Sequence, residues 1–155
     1  VKTLGIDPGA MTGLALLDGG RPVSLQTRAW GEDGSEVKGW VREALEAWGA
    51  FMVVVEIPPK GYFMRNVSVR ANCRISGNVG ECRAKAAEIA AFCEGLGLTV
   101  MRTPPIRGGT KRKVSEAIWR ARFKWEWRLP SNHARDAACL ADHYGRMMEL
   151  EGRAR

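Results

Sequence analysis

The sequence predicts an α/β domain built on a mixed sheet of five strands. Three observations carry that expectation. Residues 2–7, 12–17 and 22–29 are short apolar-rich stretches whose connections are too short for a crossover, so they form an antiparallel meander. Phe51 to Val55 is an uninterrupted apolar run, as in a strand covered on both faces. From 51 to 101 the pattern is strand, helix, strand, a βαβ unit with a parallel pair and a right-handed crossover.

In the first strand, period-2 alternation puts Thr3, Gly5 and Asp7 on one face and Leu4 and Ile6 on the other. A Pro8-Gly9 turn follows, and Asp18-Gly19-Gly20 marks the next hairpin. Asp33 to Gly49 is an expected helix with Val37, Trp40, Val41, Ala44, Leu45 and Trp48 inward, and Asp33 with Glu36 has capping-box spacing. Glu56 closes the central strand before Ile57-Pro58-Pro59. Residues 58–77 lack apolar periodicity and read as a long loop. Its Lys60, Arg65, Arg70 and Arg74 stand among Tyr62 and Phe63, a mixture that fits a nucleic-acid surface or a solvated loop with two anchoring rings. Asn78 to Gly95 is the next helix, with Val79, Cys82, Ala86, Ile89, Ala90 and Cys93 on one face. Leu96 to Met101 is the fifth strand.

A helix is expected over Thr110 to Phe123, with Val114, Ala117, Ile118 and Ala121 inward. Its first turn holds Lys111, Arg112 and Lys113, cations set against the helix dipole. That arrangement fits a phosphate site or a solvated basic turn. Ser131 is the expected N-cap of the last helix, on which His133 and Asp136 share a face. Ala134, Ala137, Ala138 and Ala141 allow close approach, while Asp142 and His143 read as surface groups.

The chain has 155 residues, enough to bury a core without covalent staples, so one domain is expected over 1–148 with a frayed tail at 149–155. A net charge of +7 favours a polyanionic partner. No run approaches membrane-spanning length, no signal peptide is read, and the four cysteines lack CxxC spacing. A reduced, cytoplasmic setting is expected.

Four candidate metal ligands emerge: Asp7 and Glu56 at strand ends, His133 and Asp136 at the start of the last helix. Three crowded carboxylates repel unless cations neutralise them. Oxygen-rich ligation suits Mg²⁺ or Mn²⁺. Two such ions about 4 Å apart activate water and stabilise the leaving oxygen of a phosphodiester.

The order of these acids resembles the RuvC-type Holliday junction resolvases of the RNase H-like superfamily. Gly5-Ile6-Asp7-Pro8-Gly9 with Thr12-Gly13 is similar to the opening motif, Val54-Val55-Glu56 to the second acidic motif, and His133-Ala134-Arg135-Asp136-Ala137-Ala138 to the closing one. Phe63 within Phe63-Met64-Arg65-Asn66 resembles the junction-wedging aromatic, with Tyr62 as its alternative. Lys111 resembles a basic position of the active site, which implies a hold on the scissile phosphate or on transition-state charge. His133 stands where many members carry Asp, which implies relatively better use of Mn²⁺ and loss of activity as the imidazole protonates.

The resemblance implies an RNase H-like sheet with helices on both faces. It also implies Asp7, Glu56, His133, Asp136 and Lys111 as catalytic, with two Mg²⁺ ions per site. Tyr62, Phe63, Arg65, Arg70, Arg74, Lys111, Arg112 and Lys113 would contact DNA. The implied activity is paired nicking of four-way junctions by a homodimer, with one face of helix 78–95 as the dimer contact. Nothing in the chain points to a partner helicase. Two alternatives stand: a nuclease of the same fold acting on flaps, forks or structured RNA, and a non-catalytic junction-binding module.

Overall fold

The computed structural model describes residues 1–58, 68–105, 116–125, 128 and 130–153. Strands β1 (Lys2–Asp7), β2 (Met11–Asp18) and β3 (Arg21–Ala29) form the antiparallel meander, and β4 (Met52–Glu56) and β5 (Val100–Thr103) complete a five-stranded sheet in the order β3-β2-β1-β4-β5. β1 pairs antiparallel with β2 and parallel with β4, and β4 pairs parallel with β5. The mixed sheet is therefore the one its connections dictate. Helix α1 (Ser35–Trp48) joins β3 to β4, and helix α2 (Val69–Gly95) joins β4 to β5. Helices α3 (Glu116–Phe123) and α4 (Asn132–Arg153) follow.

The two sheet faces bury different sets of residues. Leu4, Ile6, Leu14, Leu16, Val53 and Val55 face α1 and α2, packing on Val37, Val41, Ala86, Ile89, Ala90 and Cys93. Ala15 and Leu17 face α3 and α4, packing on Trp119, Phe123, Ala137, Ala138 and Ala141. Val54 meets Leu140 of α4.

Several boundaries differ from the expected ones. Helix α2 begins at Val69, nine residues earlier than its apolar stripe. Ser68 caps it, its hydroxyl accepting from the Ala71 amide (3.3 Å). The extra turns expose Val69, Arg70, Cys73 and Arg74 and bury the polar Asn72, so they carry no apolar period. β5 starts at Val100 instead of Leu96 because α2 ends in a Schellman turn: Leu98 N–H bonds the Cys93 carbonyl (3.2 Å) and Gly97 N–H the Glu94 carbonyl (2.9 Å), with Gly97 at φ +77°. Helix α1 begins at Ser35, with Gly34 as a left-handed cap. Asp33 does not form the expected box with Glu36; its Oδ1 accepts from the Ser35 amide (3.0 Å).

Helix α3 turns its aromatic stripe inward. Trp119 and Phe123 are buried with ring centroids 4.8 Å apart, while Ile118 is 62 % exposed, contrary to the expected face. Two rings bury far more apolar area than the Ala-Ile stripe would. Val114 lies outside the described residues.

Asp142 is not a surface group: it is 1 % exposed. Its Oδ2 accepts from Arg122 Nε (2.9 Å) and Nη2 (2.6 Å), and its Oδ1 from Arg146 Nε (2.8 Å). The two guanidinium groups satisfy the buried charge and tie α3 to α4. Helix α4 runs to Arg153, so residues 149–153 continue the helix. No helix among the described residues is long and apolar enough to cross a membrane. All four cysteines are free.

Candidate active site

β1 ends at Asp7 because Pro8 has no N–H with which to continue the ladder. The following turn is braced from inside. The wholly buried Thr12 hydroxyl donates to the Gly9 carbonyl (3.1 Å) and accepts from the Gly9 amide (3.4 Å). Trp30 N–H bonds the Ala10 carbonyl (2.9 Å).

Across the ladder Asp7 stands opposite Gly13. A Cβ at Gly13 would lie 2.0 Å from the His133 carbonyl oxygen, and one at Gly5 2.0 Å from that of Ala137. Helix α4 thus rests its backbone on the sheet at two glycines, and its first turn descends beside Asp7. Ser131 caps that turn, its hydroxyl accepting from the Ala134 amide (3.1 Å) and meeting the Thr27 hydroxyl of β3. His133 Nδ1 comes to 3.2 Å from Asp7 Oδ2.

The parallel β1–β4 register carries Ile6 opposite Val55, so Asp7 and Glu56 leave neighbouring strands at the same level. Burial, then the charges of Asp7 and Asp136, push the Glu56 carboxyl up to about 7. Burial, then the charge of Asp7, push Asp136 up to about 6, against opposing effects from His133 and Arg135. The bond to Asp7 raises His133 above its ordinary value, partly offset by burial. Burial leads the shifts of Glu56 and Asp136, the crowding of acids at one place adds to them, and Asp7 accounts for that of His133.

The four expected residues therefore meet at one end of the sheet. Among the described residues, no three His, Cys, Asp or Glu side chains are already closed into a metal-holding group. The donor set, three carboxylates and one imidazole, nonetheless fits a hard divalent cation. A cation there would relieve the mutual repulsion that adds to the burial shift of Glu56 and Asp136.

Two further residues join the site without a sequence signal. Burial pushes the Cys82 thiol of α2 up, and both Asp7 and Glu56 add to that shift, so this helix flanks the acids. Arg83 Nη1 donates to the Pro58 carbonyl, two residues beyond Glu56. Arg70 and Arg74 are exposed on the first turns of α2 and not on a loop. Lys60, Tyr62, Phe63, Arg65, Lys111, Arg112 and Lys113 lie outside the described residues.

No protein-family model matches the chain. No curated protein sequence matches it either. Solved structures do. RuvC of Thermus thermophilus in complex with a Holliday junction substrate shares 19% identity over 95% of this chain and 96% of that one, with a TM-score of 0.65. Another Thermus thermophilus RuvC structure shares 18% over 96% and 97%, with a TM-score of 0.62. The five-stranded sheet with its flanking helices is thus the RNase H-like fold, shared with these RuvC structures.

Proposed function

We propose that the chain is a structure-specific endonuclease that resolves four-way DNA junctions by paired, symmetric phosphodiester hydrolysis. The observation that carries this reading is the convergence of Asp7, Glu56, His133 and Asp136 at one sheet end, in a fold shared with a RuvC solved on a junction.

Two Mg²⁺ or Mn²⁺ ions would be held by Asp7, Glu56, His133 and Asp136. When bound they supply the positive charge that activates a water and stabilises the departing oxygen. The chain's own groups arrange the rest. The braced Pro8–Thr12 turn fixes Asp7. The bond between His133 Nδ1 and Asp7 Oδ2 orients the imidazole. Without ions Glu56 and Asp136 hold their protons unusually tightly, so cation binding would release protons from the site. Lys111 would meet the scissile phosphate, and Tyr62 or Phe63 with Arg65, Arg70, Arg74, Arg112 and Lys113 would bind the junction. Each chain brings one such set of acids, so matched nicks call for a homodimer. Such a protein would work in the cytoplasm.

The test is cleavage of a synthetic four-way junction with Mg²⁺ or Mn²⁺ beside Asp7→Asn. Symmetric nicks are expected from the wild type. Asp7→Asn is expected to lose cleavage and keep junction binding. Cleavage retained in that variant removes Asp7 from the reaction. Preference for flaps, forks or RNA hybrids over junctions moves the substrate to the alternative nuclease class, and metal-independent binding without nicking leaves a binding module.

A further inference from the structure

The way β4 ends poses a problem for Glu56. The β4–β5 ladder closes with Glu56 opposite Thr103 and with Ile57 N–H on the Thr103 carbonyl (2.7 Å). The sequence then runs Pro58-Pro59, two residues with no backbone N–H. Past Ile57 the main chain has no donor for two residues, just where a carboxylate must be placed. Strand ends fray when their ladder bonds stop.

The anchor comes from another layer. Arg83, half-buried on α2, donates Nη1 to the Pro58 carbonyl. This is a charge-assisted bond. Its base is firm, because the same helix buries Ala86, Ile89, Ala90 and Cys93 in the core from one turn further on. Cys82, the residue before Arg83, feels the charges of Asp7 and Glu56, so this turn of α2 lies along the site. Among the described residues, the charges that act on Glu56 are those of Asp7 and Asp136, so Arg83 reaches it through the backbone.

We propose that Arg83 is a positioning residue whose bond to the Pro58 carbonyl fixes the end of β4 so that Glu56 faces Asp7 and Asp136. The inference rests on the proposed function insofar as Glu56 is taken as a cation ligand.

The experiment measures Mn²⁺ binding by electron paramagnetic resonance, without DNA, in wild type, Arg83→Gln, Arg83→Lys, Glu56→Gln and the Arg83→Gln/Glu56→Gln double variant. Single-turnover junction cleavage is followed in parallel. Arg83→Gln is expected to weaken Mn²⁺ binding about tenfold, the low end for outer-shell partners of a metal site. Cleavage slows with it, junction affinity holds, and Arg83→Lys recovers part of both losses. The double variant binds Mn²⁺ no more weakly than Glu56→Gln alone. Wild-type Mn²⁺ binding in Arg83→Gln, full additivity in the double variant, or no Glu56-dependent Mn²⁺ binding at all overturns the proposal. If Arg83→Gln does not fold, Arg83→Lys against Glu56→Gln makes the same comparison. Coupled Mn²⁺ binding in a wild type that cuts no junction keeps the positioning role and overturns the substrate reading. Robust cleavage with Arg83→Gln equal to wild type does the reverse.

Discussion

Glu56, Asp136 and His133 all hold protons more tightly in the folded chain than outside it. Such groups favour the fold below their unfolded pKa, and that contribution is lost as pH rises through the folded one. For Glu56 the window runs from 4.5 to about 7 and for Asp136 from 3.8 to about 6, while for His133 it opens at 6.5. Glu56→Gln, which fixes the uncharged form, is therefore expected to raise the melting temperature of the metal-free protein at pH 8 and leave it nearly unchanged at pH 4. Equal effects at both pH values would show that the carboxylate is not strained. His133→Asp adds a fourth carboxylate and is expected to shift the Mg²⁺/Mn²⁺ cleavage ratio toward Mg²⁺. An unchanged ratio removes the imidazole from the ligand set. Asp7, Glu56, His133 and Asp136 were legible in the sequence because strand-end acids and an HxxD turn are local patterns. Cys82, Arg83 and the brace at Thr12 were not, since each depends on a neighbour that only the folded chain supplies.

At the scale of elements, the seat of α4 on the sheet decides the geometry of the site. Gly13→Ala would drive a methyl into the His133 carbonyl. The expected cost is about 1–3 kcal/mol, as for overpacking elsewhere, measured by urea unfolding, together with weaker Mn²⁺ binding as the first turn lifts. A variant as stable as wild type with intact binding would mean that α4 tolerates the shift. Asp142→Ala is expected to cost about 1–3 kcal/mol, below the ~3–5 typical of a broken buried pair, because Arg122 and Arg146 both reach solvent. The first four strands were legible, the meander through alternation and hairpin turns and β4 through its apolar run, whereas β5 was read four residues early. The start of α2 was hidden because its first turns bury only Asn72. The depth of Asp142 was hidden because its arginine partners lie 20 residues before it and 4 after it. Charge alone does not say that an acid is paired and buried.

For the whole molecule, the +7 charge sets the expected response to salt. A protein that meets six or more phosphates loses about a thousandfold or more in affinity between about 50 and 200 mM salt. Junction binding measured over that range is expected to follow such a slope, and a flat response would detach binding from the basic surface. The antiparallel meander and the parallel pair followed from connection lengths and the helices on both faces from the family resemblance, while the strand order β3-β2-β1-β4-β5 and the make-up of the two cores came only with the fold. The Asp7–His133 contact, by contrast, joins residues 126 apart in the chain. A polypeptide interrupted before His133 owns two acids and no helix to complete them. Competence to bind the ions would then be acquired in a single late event, so the gain in thermal stability on adding Mn²⁺ doubles as an assay for whether a given copy has finished folding.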